Sequence, residues 1–143
     1  MIFGTGAPKF IYNPTGLNEE VLLDYAIIIE DKPEADFLIH ESIFTGHREF
    51  INLGKYWTIK LNINLYKQTY AETYFNTIKQ YEGLEVRFFR HRDGDYVKDN
   101  LGAEVPFFLE TIDESYYKTP DYKDLLTLKL KSTKYVDMLQ GVI

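Results

Sequence analysis

The strongest pattern in the chain is an alternation. Trp57, Ile59, Leu61, Ile63 and Leu65 are separated by Thr58, Lys60, Asn62 and Asn64. Successive strand residues point to opposite faces, so this pattern predicts a long strand with one face in the core. Leu61, at its centre, is expected to be buried. Shorter alternations recur in Leu84, Val86 and Phe88, in Val105, Phe107 and Leu109, and in Leu126, Leu128 and Leu130. Pro106 marks an edge or a strand start, because proline donates no ladder hydrogen bond. Phe37, Ile39 and Ile43 share one face of a strand over Phe37 to Phe44. Val21 to Ile29 suits a buried strand, or a short helix opened by Asn18-Glu19-Glu20, and Glu30-Asp31-Lys32-Pro33 is expected to end it.

One segment has helical spacing. Thr69 and Glu72 are placed as a capping box, in which each side chain satisfies an orphan backbone N–H. Ala71, Tyr74, Phe75, Ile78 and Tyr81 then form one apolar stripe, and Gly83 supplies a left-handed stop, giving a helix over about 69–82. A helix this short must rest on a sheet. Asp93-Gly94 signals a two-residue hairpin turn. Residues 1–20 read as an irregular arm with a short strand at Phe10-Ile11-Tyr12, and Asp113 to Asp124 as a polar, Tyr-rich loop. The tail 135–143 either closes with a helical turn or is mobile. Strands, one helix, then strands again predict an α+β, mainly β fold: an antiparallel β-sandwich or split barrel with the helix packed on a sheet. Residues 1–143 read as a single domain, since no linker, repeat or low-complexity segment divides them.

Composition narrows the function. With 16 Lys and Arg against 22 Asp and Glu, the net charge is −6, which argues against a general nucleic-acid or anionic-membrane binder. The chain has no cysteine, which excludes disulfides, thiolate metal sites and thiol nucleophiles. The N-terminus lacks a basic region followed by an apolar run, and no apolar run is long enough for a membrane span, so a soluble protein made in the cytosol is expected.

No catalytic constellation is legible. His91-Arg92-Asp93 matches a kinase triplet without its companion motifs. Asp93, Asp95 and Asp99 lack the glycine placement of an EF-hand loop, and Gly4-x-Gly6 has no strand before it and no third glycine. His40 and Glu41 point to opposite faces, whereas His47 and Glu49 would share one if that segment were extended. Arg87, Arg90, His91 and Arg92 could touch a phosphate, but beside Asp93 and Asp95 they read as solvated charge balance. The expectation is therefore a non-enzymatic protein without metal or cofactor.

The phrase Gly46-His47-Arg48-Glu49-Phe50, leading into Trp57-Thr58-Ile59-Lys60-Leu61-Asn62-Ile63, resembles siphophage tail structural proteins. The likeness is to the N-terminal domain of distal-tail proteins and to the related tail-tube fold. An early Phe10-Ile11-Tyr12-Asn13 segment, the long alternating strand, the helix and the returning strands extend it over roughly residues 8–135. A second, carbohydrate-binding-like domain, as in distal-tail proteins, is not expected, which leaves a tail-tube, tail-completion or other small virion protein open. The resemblance implies a virion component synthesised in the host cytoplasm. It also implies self-association into a ring, hexameric or trimeric, around a DNA-conducting channel, with other tail proteins as partners. No sequence-specific nucleic acid and no membrane is implied. An acidic conduit would repel DNA and so permit sliding.

Two surfaces are candidates for recognition. The Thr45–Lys55 connection is longer than an ordinary hairpin loop and carries Phe50, Ile51 and Leu53 beside His47. Exposed on a projection, these four residues would form an oligomer interface; folded back, the apolar three would complete the core. Alternatively, Tyr116, Tyr117 and Tyr122 in the Tyr-rich loop 113–124 would form a platform for a partner, a small molecule or a carbohydrate.

Overall fold

The computed structural model describes residues 6–13, 16, 18–64, 71–116, 123–136 and 138–139. Their strands are β1 (Lys9–Tyr12), β2 (Glu19–Leu22), β3 (Ala26–Glu41), β4 (Arg48–Asn64), β5 (Glu85–Phe89), β6 (Phe107–Tyr116) and β7 (Lys123–Ser132), with one helix, α1 (Ala71–Lys79). The strands form one seven-stranded sheet in the order β2-β1-β5-β6-β7-β4-β3, and every pairing is antiparallel.

The connection between the edges shows how this sheet curves. β2 and β3 are its two edge strands, yet only residues 23–25 join them. Seven flat strands would separate those edges by about 29 Å. The chain from Leu22 to Ala26 reaches at most ~14 Å. The sheet must therefore curl, and the fold is a split barrel. Tyr25 makes the corner with a left-handed backbone (φ 65°), an unusual conformation for an aromatic residue. Two ion pairs cross the opening. Arg90 grips Asp31 through Nε at 2.7 Å and Nη2 at 3.0 Å, and Arg92 pairs with Asp24.

The core fills the concave side. Trp57, Ile59, Leu61 and Ile63 of β4 meet Leu126, Leu128 and Leu130 of β7, Phe107 and Leu109 of β6, Val86 and Phe88 of β5 and Phe10 of β1, all buried. Leu61 lies opposite Ile28 on one side and Leu128 on the other. A register shift in β6 between Leu109 and Thr111 turns Ile112 back toward this core. The helix rests on β7 and buries Phe75 and Ile78, while the Tyr74 hydroxyl donates to the carbonyls of Leu22 and Asp24 at the corner. Tyr81 follows on the same stripe, edge-on to Phe10 and hydrogen-bonded to Glu19. Gly83 is left-handed (φ 80°), as a helix stop requires. Leu65 and Thr69 lie outside the described residues, as does the side chain of Glu72.

Several expectations are corrected. The Val21–Ile29 run is not one element: the corner splits it between β2 and β3. Glu30 to Pro33 does not stop a strand, because β3 runs through it on the sheet edge, where Pro33 has no second neighbour to satisfy. Within residues 1–20 the expected short strand at Phe10-Ile11-Tyr12 is β1, with Phe10 buried, and β2 begins at Glu19. β6 and β7 extend into the expected 113–124 loop as far as Tyr116 and from Lys123. Asp93-Gly94 is no two-residue turn: Phe89 bridges Tyr96 across a wider loop, which gives Arg90 and Arg92 the reach to cross the opening. In the tail, Val136 and Leu139 are buried, and Leu139 bridges Asp99.

Candidate functional site

The β3–β4 hairpin is much longer than the barrel that carries it. β7 pairs with β4 only from Thr58 to Asn64, so below Trp57 the two strands pair with each other and, among the described residues, with no third strand. Arg48–Tyr56 and its partner segment in β3 thus project as a two-stranded ribbon about 30 Å long. The expected Thr45–Lys55 connection is in fact a turn over residues 42–47 followed by the first half of β4.

Both faces of this ribbon expose apolar side chains in its middle, with charged and polar pairs on either side of them. Ile39 lies opposite Phe50, and the Phe37 and Phe50 rings meet edge-on at 6.5 Å. On the other face Leu38 lies opposite Ile51, followed by His40 opposite Glu49. None of these side chains reaches the core: Phe50 is 62% exposed, Ile51 46% and Leu53 44%. A fold-back that completes the core is therefore not what the chain does. At the apex, Ser42 N–H donates to the His47 carbonyl and Gly46 N–H to the Ser42 carbonyl, with Gly46 left-handed. That turn presents Ile43 and Phe44 at 95% and 99% exposure. The eight exposed apolar residues of ribbon and apex offer on the order of 1,000 Å², which matches one partner's share of a standard protein interface, about 800 Å².

A two-stranded ribbon is marginal on its own, and its root is accordingly braced. Trp57 Nε1 donates to Asp31 at 2.5 Å, and the same carboxylate takes the Arg90 fork. Further out, Val136 N–H donates to the Lys55 carbonyl at 2.7 Å, Tyr135 packs on Tyr56, and the Tyr135 hydroxyl donates to Asp36 at 3.0 Å. Hydrogen bonds with Tyr56 and Asp36 push the Tyr135 pKa up to about 12. Beyond this brace the register shifts between Asp36 and Phe37, leaving Leu53 unopposed next to the left-handed Gly54.

The sequence pointed to His47, Phe50, Ile51 and Leu53. The structure sets them in the turn, on one face, on the opposite face and at the bulge, respectively. It adds Phe37, Leu38, Ile39, Ile43 and Phe44, all within the strand expected over Phe37 to Phe44, of which Ile43 and Phe44 lie in the turn instead. The signal was present: Phe37-Leu38-Ile39 and Phe50-Ile51 are apolar at both parities, so no single buried face can account for them.

Other candidates disperse. Arg87 pairs with Glu104 at 2.6 Å, so, with Arg90 and Arg92, the basic stretch is neutralised inside the chain. His47 sits in the turn while Glu49 lies on β4. Asp95 pairs with Lys98, and Asp99 accepts the backbone N–H groups of Leu101 and Ala103; those bonds, chiefly the one from Ala103, hold its pKa low. Among the described residues no group of three or more His, Cys, Asp or Glu is placed to hold a metal ion, and no helix is long and apolar enough to cross a membrane. Tyr116 ends β6 opposite Lys123, and Tyr117 and Tyr122 lie outside the described residues.

No protein-family model matches the chain, and no curated protein matches it. Among solved structures, the chain is similar to one from the tail of an empty gene transfer agent particle with C6 symmetry, at 13% identity and TM-score 0.43, covering 91% of this chain and 93% of that one. A second, from the virion of a native gene transfer agent particle, shares 14% identity at TM-score 0.40 and covers 92% and 94%. A third, from the sheath–tube complex of an extracellular contractile injection system in the extended state, shares 12% identity at TM-score 0.34 and covers 95% and 89%.

Proposed function

We propose that this chain is a non-catalytic structural subunit of a phage-type tail, which self-associates through the β3–β4 ribbon into a ring around a DNA-conducting channel. The observation that carries this reading is the ribbon that exposes apolar side chains on both faces and at its apex. A monomer gains nothing from holding such a surface in water, and exposed apolar patches of this size mark interaction sites. The β3 edge supports it as well: among the described residues it has no second strand partner, a long edge of this kind invites pairing, and ring closure uses it up.

The finer features follow the sequence resemblance: six or three copies, other tail proteins as neighbours, and a place in the virion tail. The excess of acidic over basic residues suits a conduit that lets DNA slide rather than holding it. Light scattering on purified protein, followed by negative-stain electron microscopy, tests the reading. Closed rings or stacked rings support it. A protein that is monomeric at hundreds of micromolar, with the ribbon intact, refutes it.

A further inference from the structure

The far end of the same hairpin carries an apolar recess. Tyr25, Ile27, Ile29 and Leu125, with Asn62 and Asn64, line an open groove of about 540 Å³ on the solvent side of the sheet. Ile27 is 67% exposed there, and Ile29 and Tyr25 are exposed too. Ile29 stands out of the ladder because the register shifts between Ile28 and Glu30, a bulge that turns an extra apolar side chain toward the groove.

We infer that this groove is the socket for the ribbon apex of a second copy of this chain, Ile43 and Phe44 entering against Ile27 and Ile29. The inference rests on the ribbon reading above and adds the surface that receives it. Three observations select the second copy as occupant. First, the two surfaces match in charge. Ser42-Ile43-Phe44-Thr45-Gly46 has no charged residue and neither does any residue lining the groove, in a chain where 27% of residues are charged. Second, they match in shape: the apex is a knob nearly fully exposed, and the groove is open and mostly apolar, lined by Tyr25, Ile27, Ile29 and Leu125. Third, they are at opposite ends of one hairpin. From Ile27 to Ile43 β3 and its turn run roughly 50 Å at the rise of an extended strand, so apex and groove of one molecule cannot meet. A knob at one end and its socket at the other make a head-to-tail contact, which propagates from copy to copy instead of closing a symmetric pair.

Complementation tests this directly. Phe44→Asp spoils the knob and leaves the socket, while Ile27→Asp spoils the socket and leaves the knob. Both positions are exposed in the isolated chain, so both variants are expected to stay folded, with a β-rich circular dichroism spectrum like that of the wild type. Each alone is expected to lose the large assembly, and an equimolar mixture to give a dimer containing one copy of each, with nothing larger. If Ile27→Asp still assembles like the wild type, or if the mixture shows only the separate variants, the socket is overturned. If Phe50→Asp/Ile51→Asp nevertheless abolishes assembly, the ribbon reading survives that result. A monomeric wild type overturns both.

Because the chain has no cysteine, a second measurement covers any folding failure. The Ile27→Cys/Phe44→Cys double variant is expected to give a disulfide-linked ladder on a non-reducing gel, whereas each single variant stops at dimers or below. Absence of the ladder under mild oxidation refutes the contact.

Discussion

Gly54 stands where any side chain would strike Tyr135. A Cβ placed on it would lie 2.7 Å from Tyr135 Cγ, and its φ of +136° is one that L side chains rarely adopt. This contact fixes where the ribbon leaves the barrel: Tyr135 lies against the bulge and ties it to Asp36 and Tyr56. Gly54→Ala is expected to destabilise the protein by about 1–3 kcal/mol in denaturant titration, mostly through the backbone, since alanine resists a positive φ. Adding Tyr135→Ala removes the collision but not the backbone strain. The double variant should therefore be more stable than the sum of the single losses implies.

The tyrosine brace also has a pH signature. The raised pKa of Tyr135, due first to its hydrogen bond with Tyr56 and then to that with Asp36, reaches about 12. Its contribution is complete below the ordinary tyrosine value near 10 and is lost as pH rises through the folded value. Tyr135→Phe should thus be less stable than wild type at pH 8, with the gap narrowing toward pH 12. Asp99 acts in the opposite sense. Its lowered pKa, set first by the Ala103 N–H, gives stability that is present above about pH 4 and lost as pH falls. Asp99→Asn is expected to unfold at lower urea than wild type at pH 7, with the gap narrowing as pH falls below the ordinary aspartate range.

Asp31 joins the barrel opening to the ribbon root through Trp57 and Arg90. Trp57 is the only tryptophan, so its fluorescence reads this junction alone. Asp31→Ala leaves the largely covered Arg90 guanidinium without its partner and is expected to cost about 2–4 kcal/mol. The Trp57 emission should shift as the indole N–H loses its acceptor.

Leu61 is fully buried between Ile28 and Leu128. Leu61→Ala should cost about 2–5 kcal/mol in denaturant unfolding, from lost burial and the cavity left behind. A loss below about 0.5 kcal/mol would be that of a surface site.

The core was legible because alternation and burial agree there: Ile59, Leu61 and Ile63 face in as their spacing demands, and so do Leu126, Leu128 and Leu130. The helical stripe through Phe75 and Ile78 was legible for the same reason. The ribbon was harder, because alternation says which residues share a face but not whether anything covers it. Phe37 and Ile39 share a face as expected, yet β7 stops pairing at Thr58 and leaves that face in water. Strand continuity through Glu30 to Pro33 was hidden by residues that break strands in the middle of a sheet and are tolerated on its edge. The corner at Tyr25 had no sequence signal, since glycine or asparagine is the usual mark of a left-handed residue.

The central claim, that the ribbon holds copies of this chain together, is tested most directly by Phe50→Asp/Ile51→Asp, one charge on each face. Both side chains are exposed in the isolated chain, so the variant should stay folded and lose only the part of the melting temperature that assembly confers. Light scattering is expected to show the wild type as a multi-subunit assembly and the variant as a smaller species with an intact β-rich circular dichroism spectrum. An assembly of unchanged mass in the folded variant would contradict the account, and so would a variant that unfolds, because it would place these residues in the core.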